Sequence, residues 1–396
     1  MVTYPEDWTP MQLKDLGYIQ MCRRIFQSQT KAYGAIPFYK ISTFGGNADA
    51  YISQELYEQY KALYPYPEKG DVLISAAGTV GKTVIFDGKD SYFQDSNIVW
   101  LKVDKNAIDR KFLWWFYRSY PWEALEGTTI QRLYNSIILK TEIHLPDKPE
   151  QEEIVRTLSQ FDTYIDDLAE LIEKKRGIRD GALEDLMVGR TRIAGYCGER
   201  KEYTISDITR TVITGGTPST ARQEYYGGNI PWLSSTEIHQ KRIKKPTTYI
   251  TDLGLQNSSA KIAPERSVLI ALAGQGKTRG TAAYLTRPMA LNQSLAALVT
   301  NEKCNPEFLY YLIESMYLSL RELSSGDGGR GGLNKKLIKG VTVTIPVDVA
   351  EQETIADTLT VMDEEIEALE IERDKIIQIR EGAMDDLLTG RVRLKV

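Results

Sequence analysis

Two glycine turns that contain lysine come closest, in this sequence, to a known chemical motif, the phosphate-binding loop. Residues 76–83 read AAGTVGKT and residues 271–278 read ALAGQGKT. A phosphate-binding loop has glycine at the first of these positions, and a helix whose N-terminus holds the phosphate follows its Lys-Thr pair. Here alanine stands first, and residues 84–86 and 281–284 are typical of strands. We therefore expect no bound nucleotide and no cofactor.

Both turns are better interpreted as tips of β-hairpins that approach the phosphate backbone of a nucleic acid. Backbone N–H groups and basic side chains at such a tip can bind phosphates. An ordinary hairpin with a solvated lysine is the alternative interpretation. The candidate residues at the two tips are Gly78, Thr79, Lys82, Lys277 and Arg279.

Polar side chains precede the next apolar strand in both halves of the chain. Gln94, Ser96 and Asn97 stand at this place in the first half, and Asn292 and Gln293 in the second. Asparagine and glutamine can form paired hydrogen bonds with adenine in the major groove of DNA. Amides beside a strand also often bond to the backbone of a turn, which is the alternative. We treat these residues as candidate DNA contacts.

Further polar residues on predicted loops complete the candidate DNA-binding set. Residues 325–332 form a glycine-rich loop with one base, Arg330, and residues 127–132 are its counterpart. Loops of this kind can order over DNA or serve as plain connectors. The remaining candidates are Gln131, Arg132, Thr217, Ser219, Ser234, Ser235, Asn334 and Lys335.

No arrangement of residues in the sequence is typical of a catalytic or metal site. His144 and His239 are the two histidines, and neither has a second ligand at metal-binding spacing. The three cysteines are far apart, so we expect neither a paired-cysteine zinc site nor a disulfide framework. Residues 305–307 read NPE, which lacks the Pro-Pro-aromatic ending of the adenine methyltransferase motif. We therefore expect a non-catalytic protein.

Composition and charge are those of a globular protein with an uneven distribution of acids. Of 396 residues, 42% are hydrophobic and 26% charged, and no apolar run is long enough to cross a bilayer. The start lacks the pattern of a secretory signal, so we expect a cytoplasmic protein. The net charge is zero over residues 1–148, −4 over 149–193, +6 over 194–349 and −7 over 350–396. Because surface charges act locally, the overall charge of −5 does not exclude a nucleic-acid partner.

An internal repeat is the strongest feature of the sequence. Residues 150–193 recur at 351–394 without a gap, with 19 of 44 positions identical. Apolar residues spaced alternately by three and four predict a long helix in each copy, with the narrow apolar face of a coiled coil. Two unrelated surface helices, each packed on its own domain, are the alternative. The predicted helix–helix residues are Ile154, Leu158, Phe161, Ile165, Leu168, Ile355, Leu359, Met362, Ile366 and Leu369.

The segments that precede the two helices also correspond, though more loosely. Residues 13–16, 36–38, 71–74 and 143–146 match 205–208, 230–232, 267–270 and 343–346. We predict strands and turns for these segments, and a short helix after each of Phe112 and Phe308. We assign the aromatic residues of those short helices to core packing rather than base stacking: Trp114, Trp115, Tyr310 and Tyr311.

With these features, the chain resembles the specificity subunits of type I restriction–modification systems. One basis is a strand that ends in proline, followed by Glu-Gln-Glu and a long helix, at 146–152 and again at 346–353. The other is the order of the pieces in each half, including GGTPS at 215–219, IPW at 230–232 and the glycine turns. The first half lacks the GGTPS segment, so its opening is matched less closely.

The resemblance implies an α/β protein with two target-recognition domains joined by two long helices that form an antiparallel coiled coil. The two halves would be related by a pseudo-twofold axis, as an internal repeat. The domains would span 1–148 and 194–349, and the helices 149–193 and 350–396. Helices of this length, roughly 57 Å at ~1.5 Å per residue, would separate the domains by more than one DNA turn of ~34 Å. Each domain would then bind one half of a bipartite target.

The resemblance also implies partners: double-stranded DNA, two modification (methyltransferase) subunits and ATP-dependent restriction subunits. The acidic helices fit protein docking better than DNA contact, because phosphates would repel them. Three alternatives stay open. They are the specificity subunit of a related two-polypeptide restriction system, a coiled-coil scaffold that does not read DNA, and a self-contained DNA-modifying enzyme.

Overall fold

The chain forms two compact units, each of which contains parts of both long helices. The computed structural model describes residues 4–104, 106–122, 132–274, 276–323 and 332–395. The first unit comprises Met1–Ala169 and Ile371–Val396, and the second comprises Glu170–Glu370. In the described part of the chain, no helix combines the length and apolarity needed to cross a membrane.

The first unit is built from short strands and helices before its long helix begins. Its strands are β1 (Thr9–Gln12), β2 (Gly17–Gln20), β3 (Ile36–Tyr39), β4 (Ala50–Ile52), β5 (Val72–Ser75), β6 (Thr83–Ile85), β7 (Tyr92–Phe93), β8 (Ile98–Val103) and β9 (Glu142–Leu145). Its helices are α1 (Leu13–Leu16), α2 (Gln54–Leu63), α3 (Arg110–Ser119), α4 (Asn135–Lys140) and the first part of α5 (Lys148–Val188). A 3-10 turn spans Gln27–Gln29.

Three sheets organise the described strands of this unit. The largest has the order β2-β8-β5-β6, and a smaller one has the order β4-β3-β7 with β3 and β7 parallel. Strands β1 and β9 form an antiparallel pair. The apolar side chains of β5 and β8 are buried on both sides, because α3 packs against the larger sheet. As predicted for 76–83, a strand and not a helix follows the glycine turn.

The second unit repeats this plan with additional strands. Its strands are β10 (Arg200–Thr204), β11 (Thr209–Thr214), β12 (Tyr226–Leu233), β13 (Arg242–Ile243), β14 (Thr248–Ile250), β15 (Lys261–Ala263), β16 (Val268–Ala271), β17 (Ala282–Leu285), β18 (Met289–Leu291), β19 (Leu295–Thr300) and β20 (Thr342–Pro346). Its helices are α6 (Ile205–Ile208), α7 (Asp252–Gln256), α8 (Pro306–Ser315), α9 (Tyr317–Leu323), α10 (Lys335–Lys339) and the first part of α11 (Val349–Leu388). Further 3-10 turns span Gln223–Tyr225 and Ser235–Gln240.

The sheets of the second unit correspond to those of the first. The order β11-β19-β16-β17-β13 matches β2-β8-β5-β6 with one strand added, and β14-β12-β18-β15 matches β4-β3-β7 with one strand added. The parallel pair β12 and β18 is equivalent to β3 and β7. The terminal pair β10 and β20 is equivalent to β1 and β9. The repeat read from the sequence is therefore also a repeat of topology.

The first two residues of the Glu-Gln-Glu motif at the start of each long helix are buried, and the glutamine is hydrogen-bonded on both sides. In the first unit, Gln151 accepts a hydrogen bond from the Asp109 N–H at 2.8 Å and donates to the Pro146 carbonyl at 3.0 Å. In the second unit, Gln352 accepts from the Asn305 N–H and donates to the Pro346 carbonyl, both at 2.8 Å. The glutamine thus joins the long helix to the proline after or at the end of the preceding strand and to the N-cap residue of α3 or α8.

Glycine ends both long helices as the sequence predicts. Gly189 and Gly390 have φ values of +82° and +71°, in the left-handed region where glycine carries no Cβ penalty. One expectation was wrong: residues 13–16 and 205–208, predicted as strand or turn, are the short helices α1 and α6. The reason is local capping, since Asp15 and Asp207 accept hydrogen bonds from the backbone N–H groups of the residues that precede these helices.

The apolar residues at the start of each long helix belong to the core of one unit. Ile154 and Leu158 pack with α3 and β9 in the first unit, and Ile355 and Leu359 pack with α8 and β20 in the second. None of the ten predicted helix–helix residues is exposed. Of the aromatic residues assigned to core packing, Trp115, Tyr310 and Tyr311 are fully buried, and Trp114 is half-buried and packs against the core of the first unit.

Candidate nucleic-acid interface

In the first unit, the hairpin tip between β5 and β6 is held between two other loops. The Ala76 N–H donates to the Asn97 carbonyl at 2.7 Å, and the Leu133 N–H donates to the Ala76 carbonyl at 2.8 Å. These bonds bring the tip, the 94–97 segment and Arg132 to one place. We call this arrangement the three-loop junction.

The second unit contains the same junction. The Leu272 N–H donates to the Ser294 carbonyl at 2.8 Å, and the Leu333 N–H donates to the Leu272 carbonyl at 3.1 Å. Sequence reasoning proposed the hairpin tips, the polar segments and the loop ends as separate candidates. The structure brings them together, by equivalent backbone bonds, in each unit.

The tip in the first unit is ordered by its own side chains and glycines. Ser75 Oγ accepts from the Lys82 N–H at 2.9 Å and donates to the Thr79 carbonyl. Gly78 has φ of +67°, which a residue with a Cβ adopts only with strain. Gly78, Thr79 and Lys82 are exposed, and the Lys82 side chain lies across Gly45. The tip therefore presents its backbone and one lysine to solvent.

Helix α9 holds the tip in the second unit. The Tyr317 hydroxyl donates to the Lys277 carbonyl at 3.0 Å, and Arg321 donates to the Gly276 carbonyl at 2.5 Å. On the other side, His239 Nε2 lies 3.2 Å from Thr278 Oγ1. The Lys277 side chain is exposed and Arg279 is half-buried. Lys277 thus extends from a tip whose backbone is fixed from two directions.

The amides that follow the parallel strand pairs are partly used by nearby backbone. Gln94 Oε1 accepts from the Ile41 N–H at 2.8 Å, and Asn292 Oδ1 accepts from the Ser294 N–H at 3.0 Å. In both, the carbonyl oxygen already has a partner and the amide NH₂ group forms no hydrogen bond with the described residues. Such an amide is better suited to donate to a ligand than to accept from one.

Two predicted residues of the second unit bond directly to each other. The Thr217 hydroxyl donates to Gln293 Oε1 at 2.7 Å, which fixes the orientation of that amide. Thr217 reaches it because Gly215 crosses the sheet edge closely, where an added Cβ would lie 1.8 Å from the Leu291 carbonyl oxygen. The first glycine of the GGTPS segment is thus explained by close packing against the sheet, and its threonine by the hydrogen bond to Gln293.

The other candidates differ in how available they are. Ser96 has φ of +54°, and its carbonyl accepts from Arg132 at 3.4 Å. Asn334 is exposed, but its side chain caps α10 by accepting from the Leu337 N–H at 3.0 Å. Ser234 Oγ lies 2.6 Å from Thr236 Oγ1. Lys335 and Ser219 are exposed, Ser235 and Asn97 are half-buried, and Gln131 and Arg330 lie outside the described residues.

Sequence reasoning missed two arginines beside the junction of the first unit. Arg23 and Arg24 follow β2, as the GGTPS segment follows β11, and both are exposed. They line a hollow of about 290 Å³ together with Asp95. No sequence signal separates them from other surface arginines, because only the fold places them next to the 94–97 segment.

Three of the groups considered for catalysis, His144, Cys22 and Cys304, lie in packed surroundings. His144 stacks on Tyr4 with ring centroids 3.7 Å apart and lies 2.8 Å from Glu142. Burial raises the pKa of the Cys22 and Cys304 thiols to about 12, so both are thiols at neutral pH. Among the residues that the structure describes, no cluster of histidine, cysteine or acid side chains could hold a metal.

Within each unit, polar side chains of the two long helices bond to each other. In the first unit, Arg380 donates to Asp162 at 2.7 Å and Tyr164 donates to Glu372 at 2.5 Å. In the second, Lys175 pairs with Glu365 at 2.6 Å. There Arg179, only 5% exposed, donates to Asp363 at 2.9 Å. The contacts of each helix are thus polar as well as apolar.

Comparison with known proteins places the chain in a described family. The family model for the type I restriction modification DNA specificity domain matches residues 5–175 and again 198–379. A Haemophilus influenzae protein named as a type I restriction enzyme specificity subunit is 52% identical over 160 residues, which are 40% of this chain and 42% of the relative. This match therefore spans less than half of the relative's length.

Two other similar proteins match over almost the whole chain. A Methanocaldococcus jannaschii protein named as a type I restriction enzyme specificity subunit is 23% identical, with 99% of this chain and 95% of the relative covered. The crystal structure of a type I restriction–modification S subunit from M. genitalium has a TM-score of 0.61 at 18% identity, and covers 98% of this chain and 97% of that one. This likeness establishes a shared fold.

Proposed function

This chain belongs to the type I restriction modification DNA specificity domain family, and we propose that it is the subunit that selects the DNA sequence on which a type I restriction–modification complex acts. Each unit binds one half of a bipartite target. The observation that supports this most directly is the three-loop junction, which occurs in both units with equivalent backbone hydrogen bonds. A duplicated loop cluster on a duplicated sheet is suited to contacting two short DNA sequences.

The proposed recognition domains are residues 1–148 and 194–349, and the proposed DNA contacts are the candidate residues of the two junctions. The exposed Lys82 and Lys277 would bind phosphates, while the amides of Gln94, Asn292 and Gln293 would donate hydrogen bonds to base edges. Phosphate contacts would be more numerous in the second domain, which has the +6 charge.

The chain is proposed to be non-catalytic and to act in the cytoplasm with enzymatic partners. Two modification subunits would dock on the long helices and supply adenine methylation with S-adenosylmethionine, and ATP-dependent restriction subunits would join them. Residues 149–193 and 350–396 have net charges of −4 and −7, which favours protein docking over DNA contact. No cofactor is assigned to this chain.

The two long helices, 149–193 and 350–396, are proposed to pair as an antiparallel coiled coil. Support comes from ion pairs within each unit. Residues nearer the start of α5 pair with residues nearer the end of α11, and residues further along α5 pair with earlier residues of α11. Asp162–Arg380 in the first unit and Arg179–Asp363 in the second are examples. The half-buried or buried residues Phe161, Ile165, Leu168, Met362 and Ile366 would form the apolar part of the interface.

Selection from a random DNA duplex library, with the full chain bound to its cognate modification subunit, tests this function. The expected product is a motif with two defined half-sites separated by undefined bases. A library that yields no such motif would leave the scaffold alternative. S-adenosylmethionine binding by the purified chain alone would instead support a self-contained enzyme.

Matched variants at the hairpin tips sharpen the test. Lys82→Ala and Lys277→Ala remove one exposed charge from corresponding positions of the two units. Because each tip would serve a different half-site, each variant should weaken binding mainly through one half-site, measured on duplexes that have one half-site scrambled. Equal losses at both half-sites in either variant would contradict the assignment of one unit to one half-site.

A further inference from the structure

Three arginines of the first unit lie over exposed aromatic rings around the 94–97 segment. Their guanidinium carbons are 5.2, 5.7 and 5.9 Å from the ring centroids in the pairs Arg23–Tyr64, Arg24–Phe26 and Arg132–Tyr134. The three rings are 36%, 59% and 46% exposed, in the same order. A planar guanidinium that rests on a ring keeps its N–H edges available to a second partner. These residues form what we call the arginine–aromatic patch.

Two adjoining hollows connect the patch to the junction. One, of about 330 Å³, is lined by Arg132, Ser96 and Met21. The other, of about 290 Å³, is lined by Arg23, Arg24 and Met21, with Asp95 as its acidic member. The two hollows share Met21 and lie on either side of the step from Asp95 to Ser96. The arginines therefore border the segment that holds the proposed base contacts.

The charge of the patch is not neutralised internally. Among the described residues, Arg23, Arg24 and Arg132 form no ion pair, and Asp95 lies in the second hollow without pairing to either arginine. The first domain as a whole has no net charge over residues 1–148. Attraction for an anion in this unit must therefore come from local groups, and these arginines are exposed or half-buried at the right place.

The position of Arg23 and Arg24 in the fold corresponds to the GGTPS segment of the second unit. That segment follows β11 and reaches the end of β18 at Leu291. In the first unit, the residues after β2 reach the equivalent end of β7, where Cys22 packs with Phe93 in one buried cluster. The same loop place thus contains a threonine that orients an amide in one unit and two arginines in the other.

We propose that Arg23 and Arg24 contact DNA phosphates in the first unit. Because residues 1–148 have no net charge, these two arginines would provide most of the electrostatic attraction between this unit and DNA. This proposal rests on the proposed function, since it assumes that the first junction faces DNA. The phosphates would lie at the rim of the second hollow, because the Asp95 carboxylate repels an anion from its interior. Arg132 would continue the same positive edge on the other side of Ser96.

The test compares the full chain, in complex with its modification subunit, with the variant Arg23→Ala/Arg24→Ala on the selected DNA duplex. Removing two phosphate contacts should reduce the slope of log K against log salt concentration by about 1.8, since each contact contributes about 0.9. Affinity should fall at least ten-fold at low salt, and the selected motif should be unchanged. The control Lys14→Ala/Lys89→Ala removes two exposed charges elsewhere in this unit and should leave the slope unchanged.

The variant Arg23→Lys/Arg24→Lys keeps the charge and checks the contact type. It should restore most of the salt slope, because lysine also binds phosphate. An unchanged slope in the alanine variant, with its thermal unfolding also unchanged, would overturn the proposal. The proposal would also be overturned if the alanine variant lost specificity at one base of the motif while its salt slope stayed unchanged, because the arginines would then contact a base and not phosphates. Failure of the unaltered chain to select any motif would refute the proposed function itself.

Discussion

Glu150 and Arg393 form a bidentate ion pair in the first unit, with Nε to Oε1 at 2.6 Å and Nη2 to Oε2 at 2.8 Å. In the second unit, Glu351 accepts from Arg192 at 2.7 Å. Glu150 and Glu351 are 3% and 1% exposed. The first acid of each Glu-Gln-Glu motif is therefore joined to the arginine that follows the other long helix. This relationship explains why the same glutamate and arginine occur in both copies of the repeat.

Glu150→Gln should destabilise the first unit by about 2 kcal/mol, because it removes a buried charge from a paired arginine while keeping the shape of the side chain. Arg393 is 41% exposed, so water compensates part of the loss. Denaturant unfolding followed by tryptophan fluorescence measures the change. The control Asp386→Asn, in an exposed pair with Arg391, should alter stability by less than about 0.5 kcal/mol. Equal effects of the two variants would show that burial of Glu150 is unimportant.

Acid should weaken the attachment of the C-terminal segment through Asp7. The hydrogen bond from Arg393 lowers the pKa of Asp7 below its ordinary value of 3.8. A lowered pKa means that the stabilisation is complete above the pKa of the unfolded chain and is lost as pH falls through the folded value. The melting temperature of the protein should therefore exceed that of Asp7→Asn at pH 6, and the difference should shrink toward pH 3. A difference that stays constant over this range would contradict the prediction.

Thr217→Val should weaken DNA binding at one half-site by about five-fold, or ~1 kcal/mol, because the Gln293 amide loses the hydroxyl that orients it. Thr217→Ser keeps the hydroxyl and serves as the control. Competition binding with each half-site altered in turn measures the effect. If valine and serine variants bind alike, the 2.7 Å hydrogen bond does not contribute to recognition.

A zero-length cross-link should join the two long helices. Lys175 Nζ lies 2.6 Å from Glu365 Oε1, and both side chains are solvent-accessible, so a carbodiimide should form an amide bond between them. Peptide mass spectrometry would identify the product, and Lys175→Arg should abolish it. Cross-links from Lys175 to residues near the end of α11 instead would contradict antiparallel pairing.

Thiol labelling should separate the three cysteines. Cys197 is exposed, whereas Cys22 and Cys304 are buried and have pKa values raised to about 12 by that burial. A maleimide at pH 7 should therefore modify Cys197 first, and the other two only after unfolding, because the thiolate is the reactive form. Mass spectrometry of the folded protein with a single adduct at Cys197 is the expected result. Rapid modification of Cys22 would show that the first unit opens locally.

The sequence allowed prediction of those parts of the fold that depend on periodicity and on local caps. The long helices and the glycines that end them follow from apolar spacing and from the left-handed conformation at Gly189 and Gly390. The strands after the glycine turns follow from β-branched and aromatic residues. Helices α1 and α6 were missed, because in a four-residue segment one capping aspartate outweighs the propensity of the other residues.

The candidate site was predictable only as separate pieces. Gln94 and Asn292 could be chosen by type, but their bonds to Ile41 and Ser294 depend on loop geometry that spacing does not determine. Asn334 has the same chemistry and nevertheless caps a helix. Arg23 was missed, because its closeness to the 94–97 segment arises from sheet pairing across long sequence separation. Long-range contacts of this kind leave no local pattern.

The chain segments that make up the two units have a consequence for folding during synthesis. The second unit, Glu170–Glu370, is one continuous stretch, whereas the first needs Ile371–Val396 to pack Leu387 and Leu388 into its core. On the ribosome, the second unit can therefore complete its fold before the first, although it is translated later. A nascent polypeptide that stops before residue 371 would release a first unit that lacks part of its apolar core. Proteolytic clearance of such fragments would begin at the N-terminal half.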